Sequence, residues 1–149
     1  MPASDALLRM VLVHRQIGDD VLMTLLHSVR HGAEDVRFSP VIVLTDECPF
    51  EVILGYIRMG ADDVIVLPEN KDVLVQRFES QITGTHIYYE TGDYFGPDRR
   101  RMEMTPPDTR RVGVAGHARY HFMRSPGEGI KITRHEVFAA PLRPMMDVA

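Results

Sequence analysis

The sequence predicts an α/β protein built on a doubly wound parallel sheet, and three observations carry that prediction. Two apolar runs, VIVL at residues 41–44 and VIVL at residues 64–67, are too short for helices and rich in β-branched side chains, as suits strands covered on both faces. Between them Phe50, Ile53, Leu54 and Ile57 recur at helical spacing, so one helix face can pack on the sheet. Gly60-Ala61 turns the chain into the second run and Pro68 closes it. Parallel neighbours need such a crossover, which is almost always right-handed.

The remaining elements extend the same alternation. The run MVLV at residues 10–13 reads as a strand, followed by a polar turn from His14 to Gly18. From Asp19 to His31 the residues Val21, Leu22, Leu25, Leu26 and Val29 fall at helical spacing. Asp19 and Asp20 sit where negative charge suits the helix dipole, and Gly32 is a natural stop. Past Pro68 a third amphipathic helix is expected over residues 72–82, with Val73, Leu74, Phe78 and Ile82 facing inward, and Gly84 ends it. The order is then β-α-β-α-β-α over residues 1–83. Three strands make a thin sheet with exposed edges, so a partner strand, the rest of the chain or a second copy must cover them.

Residues 84–149 have a different character and read as an extension. Residues 86–89 suit a short strand. Residues 112–122 and 130–137 alternate apolar and polar around Gly127 and Gly129, which fits a β-hairpin in an otherwise irregular segment. The last residues read as a frayed end.

Bulk properties narrow the function. The chain has 149 residues and a formal net charge of −4, and acidic residues dominate 1–83 while basic ones dominate 84–149. Negative net charge and the lack of a DNA-binding helix pair argue against nucleic acid. Cys48 is the only cysteine, so no internal disulfide forms, and a cytoplasmic location is expected. Its neighbours Asp46 and Glu47 disfavour a reactive thiolate. No apolar stretch is long enough to span a membrane, and no basic-then-apolar leader stands at the N-terminus. His117 and His121 stand four apart, but the strand-like pattern around them argues against a helical metal site.

PVIVLT, a helix, and then GADDVIVLP resemble the C-terminal half of the receiver domain of two-component response regulators. The resemblance covers residues 7–83 and implies a partial flavodoxin-like fold lacking the family's first two β-α units. It implies that Thr45 is the switch hydroxyl ending the family's fourth strand. It also implies that His14 stands at the phosphoacceptor aspartate and Leu67 at the lysine preceding the conserved proline. Phosphoryl transfer to a receiver needs a carboxylate nucleophile, an acidic pair holding Mg²⁺ and a lysine for the phosphoryl oxygens. His14 offers no carboxylate and Leu67 no charge, while Val64 replaces the aromatic switch partner and the acidic pair has no counterpart. Of the functional set only Thr45 survives, and a threonine ending a strand is in any case a good β former.

A second resemblance lies in Tyr94, Gly96, Pro97, Asp98, Arg99 and Arg100, with Arg101 continuing the run. This is similar to a Tyr-X-Gly-Pro-Asp-Arg-Arg segment that follows some bacterial receiver domains, in which Gly-Pro-Asp makes a turn. Guanidinium groups bind phosphates and guanine edges bidentately and stack on purines. The resemblance therefore implies a candidate cyclic-di-GMP site formed by Arg99, Arg100, Arg101, Arg110 and Arg111, with Tyr94 or Phe95 for stacking. The plainer reading is that the arginines dock on an acidic protein surface, the chain's own body or a partner.

The sequence thus points to a non-enzymatic pseudo-receiver in a phosphorelay, without cofactor or Mg²⁺, acting by protein-protein contact. A cyclic-di-GMP effector and a part of a longer response regulator are the alternatives. Self-association through the exposed sheet edge would give a homodimer.

Overall fold

The computed structural model describes residues 7–98 and 116–138. It is a mixed α/β structure with a three-stranded parallel sheet and a four-stranded antiparallel sheet. Strand β1 (Val11–His14) leads through a 3-10 turn to α1 (Asp19–Arg30) and the short α2 (Glu34–Arg37). Strand β2 (Val41–Thr45), α3 (Phe50–Arg58), β3 (Asp63–Val66) and α4 (Lys71–Ile82) complete the first half. The strands lie in the order β1-β2-β3, all parallel.

Alternation sorts this sheet into two faces. Val13, Val43 and Val64 share one register row and form a core with Leu22, Leu26 and Val29 of α1 and Tyr56 and Ile57 of α3. Asp63 lies on the other face, where Arg77 of α4 grips its carboxylate at 2.6 and 2.9 Å. The expected inward face of α4 is realised only in part: none of its residues is fully buried, and Val73 is exposed. The helix is held by that ion pair and by half-buried Leu74, Phe78 and Ile82. The first strand runs one residue later than expected, because His14 still pairs opposite Leu44. Phe50, expected on the inward face of α3, is exposed at the helix start, and Tyr56 is buried instead.

The second half is more regular than the expected hairpin. Strands β4 (Gly84–Glu90), β5 (Phe95–Pro97), β6 (His117–Ser125) and β7 (Gly129–Phe138) form one sheet in the order β5-β4-β6-β7. The hairpin forms between β6 and β7, with Gly127 in its turn. Gly96 and Pro97, expected in a turn, lie instead in β5, paired with Tyr89 and Tyr88. The turn comes earlier, where the Thr91 hydroxyl accepts from the backbone N–H groups of Asp93 and Tyr94. Burial of Phe95 in an aromatic cluster with Phe38, Tyr88, Tyr120 and Phe122 draws the segment onto the sheet. Phe38 belongs to the loop before β2, so the two halves share this core.

Candidate functional site

The C-terminal edge of the parallel sheet brings together the three receiver-like positions. The register sets His14 opposite Leu44 and Thr45 opposite Val66, and the Leu67 N–H donates to the Thr45 carbonyl at 2.7 Å. His14 Nδ1 accepts the Gln16 N–H at 3.0 Å, which leaves the ring's proton on Nε2, 3.9 Å from an Asp46 carboxylate oxygen. Thr45 is fully buried, and its hydroxyl donates to the Asp46 carbonyl at 2.9 Å, with Cys48 Sγ at 3.7 Å. The hydroxyl is thereby turned into its own loop. The nearest acids, Asp46 and Glu47, follow β2 and do not end β1. Among the described residues, no group of three or more His, Cys, Asp or Glu side chains is placed to hold a metal ion. His117 and His121 lie on strand β6, and the His121 ring meets Glu136 at 3.1 Å.

Tyr94 and Phe95 are the described members of the predicted ligand set, and Phe95 is not available for stacking because it is buried in the aromatic core. The Tyr94 hydroxyl donates to the Pro97 carbonyl at 2.7 Å, and Tyr94 lines a cavity of about 240 Å³ with His27, His31, Arg58 and Phe95. Arg99, Arg100, Arg101, Arg110 and Arg111 lie outside the described residues.

The most strongly built polar cluster lies at the opposite, N-terminal end of the parallel strands and was not singled out by sequence reasoning. Asp62 is 3% exposed, Arg30 2% and Arg124 1%. One Asp62 carboxylate oxygen accepts from Arg30 at 2.5 Å and from the Val41 N–H at 2.7 Å. The other accepts from Arg124 at 3.1 Å and from the Tyr88 hydroxyl. Arg30 also donates to the carbonyls of Gly60, Arg37 and Ser39, and Arg124 to those of Phe38 and Gln81. Two guanidiniums face one carboxylate, and these backbone carbonyls offset the surplus positive charge.

Electrostatics keep this cluster in one protonation state. Burial alone would push the Asp62 carboxyl up, but Arg124 and Arg30, with the Tyr88 and Val41 hydrogen bonds, hold it below the usual carboxylate range. Burial pushes the Tyr88 hydroxyl well above the ordinary phenol value, so it keeps the proton it donates to Asp62. Near neutral pH Asp62 is therefore ionised and Tyr88 protonated. The cluster is therefore a buried clamp joining α1, the start of β2 and β3, and the antiparallel sheet.

Two patterns in the sequence do mark it. Arg30 follows Leu26 by one helical turn on the buried stripe of α1, and Arg124 continues the inward alternation of Ala118, Tyr120 and Phe122. Comparison with protein-family models, with curated proteins and with solved structures finds no match.

Proposed function

We propose that the chain is a degenerate, flavodoxin-like receiver module of two-component signalling that acts by protein-protein contact in the cytoplasm without being phosphorylated. The observation that carries this reading is the sheet edge formed by His14, Thr45 and Leu67. A receiver's reaction needs an acid, a free hydroxyl and an ammonium there. This edge offers an imidazole that caps its own turn, a hydroxyl bonded to its own loop and an uncharged leucine. The scaffold supports the reading through its parallel order and the helix following each strand.

Contact rather than catalysis is further supported by the β1 side of the molecule. Met10, Leu12 and Ile17 are 39%, 45% and 49% exposed just before, within and just after β1, an outer strand of the parallel sheet among the described residues. Such side chains along an outer strand suit a protein partner.

Incubation with acetyl phosphate and Mg²⁺, followed by intact-mass measurement, tests the reading. No phosphoryl adduct is expected. An adduct that disappears in His14→Asn would overturn it.

A further inference from the structure

Strand β7 is an outer strand of the antiparallel sheet among the described residues and runs for 10 residues. A long outer strand carries a row of outward N–H and C=O groups that another strand can take. Its pairing with β6 is interrupted once: His121 faces Arg134 while Phe122 faces Ile132, so Thr133 is an extra residue in a bulge. The bulge inverts the alternation of side chains along β7. Before it, Ile130 and Ile132 pack on the aromatic core. After it, His135 stacks on Tyr120 at 4.2 Å and Val137 lies opposite Ala118 of that same core. Lys131 and Glu136 therefore share the other face, where Glu136 meets His121 and Arg134.

This parity has a consequence for self-pairing. Two copies of β7, set antiparallel with their bulges facing each other, bring Ile132 opposite His135, Ile130 opposite Val137 and Lys131 opposite Glu136. Every pair then lies on a single face of the joined sheet, which an unbulged strand in this register would not allow. Each pair occurs twice by the two-fold axis. Val137 is 73% exposed and would gain an isoleucine neighbour. Lys131 is exposed and makes no ion pair among the described residues, and Glu136, which already meets Arg119, His121 and Arg134, would gain it as a further cation. We propose that β7 pairs with β7 of a second copy of this chain, forming a two-fold dimer with one continuous antiparallel sheet. The proposal does not rest on the receiver reading.

Sedimentation equilibrium of the full chain tests it. The unmodified chain should be a dimer, and Lys131→Glu, which sets like charges opposite each other twice per dimer, should weaken it about tenfold. Val137→Lys should weaken it as well, with unchanged far-ultraviolet circular dichroism because the site is exposed in the single chain. A monomeric unmodified chain would overturn the proposal, as would a dimer indifferent to Lys131→Glu and Val137→Lys.

Discussion

Arg124 reaches from β6 to Asp62 ahead of β3, its Nη2 donating to the carboxylate at 3.1 Å and to the Tyr88 hydroxyl at 2.5 Å, with every partner buried. Through this contact the antiparallel sheet is fastened to the end of the parallel one. A buried charge that loses its partner costs far more than a surface pair, because the remaining charge can neither find water nor leave.

That asymmetry separates two substitutions. Asp62→Ala leaves Arg30 and Arg124 facing each other without a carboxylate, whereas Arg124→Met leaves the Arg30–Asp62 pair intact and replaces the guanidinium stem with apolar volume. Asp62→Ala should therefore cost about 3–5 kcal/mol and Arg124→Met distinctly less. Urea denaturation of both variants beside the parent protein gives the comparison. Equal losses would mean that the cluster acts by packing and not by charge.

Acid should unfold the protein in two stages whose signs can be worked out. His86 is held below its ordinary value, first by burial and then by Arg124, so the folded state resists protonating it while the unfolded chain does not. The unfolded state then binds more protons, and stability falls as pH drops below about 6.5. Asp62 is likewise depressed, so its contribution is present above the ordinary carboxylate value of about 4 and is lost as pH falls below it. Thermal melts across this range should show both declines. His86→Phe should remove the upper one and leave the lower.

The parallel sheet was legible because its apolar runs, crossover spacing and turn residues all report local structure. Strands β2 and β3 and helix α1 lie close to where periodicity puts them. The hairpin of β6 and β7 was legible for the same reason. What periodicity does not carry is the partner of a polar residue. Asp62 sits beside Asp63 in the sequence, yet one carboxylate is buried against two arginines and the other holds Arg77 near the surface. Their contrast arises from long-range packing. The burial of α4 was overestimated because amphipathic spacing marks a face without saying whether anything covers it. Gly96 and Pro97 joined a strand because a buried Phe95 outweighed the turn preference of Gly-Pro-Asp.

Gly60 should tolerate no side chain. Its φ is +107°, in the left-handed region, and an added Cβ would stand 3.1 Å from both Arg30 Cγ and the Phe95 carbonyl. Arg30 cannot yield easily, since its Nε donates to the Gly60 carbonyl at 2.8 Å and its Nη2 to Asp62. Gly60→Ala should cost about 1–3 kcal/mol, from backbone strain together with displacement of the clamp. Gly55→Ala is the control, because a Cβ there meets nothing within 4 Å and the residue lies inside α3. It should be neutral or slightly stabilising, by up to about 1 kcal/mol. Chemical denaturation of both variants reads the difference.

Helix α4 should be the first of the long helices to open. It and α1 are each 12 residues long, but α1 buries Leu22, Leu26, Val29 and Arg30, whereas α4 buries none of its own residues. Helices of this length are marginal in water without tertiary packing, so protection of their amides follows the apolar area that each one hides. What fastens α4 is chiefly the Arg77–Asp63 pair, with Arg77 also donating to the Val64 carbonyl at 3.0 Å. Native-state hydrogen exchange should show the α4 amides exchanging faster than those of α1, with Arg77→Ala speeding α4 further and leaving α1 unchanged. If Arg77→Ala accelerates both helices equally, α4 opens only when the whole molecule unfolds, and its lack of buried residues does not govern its stability.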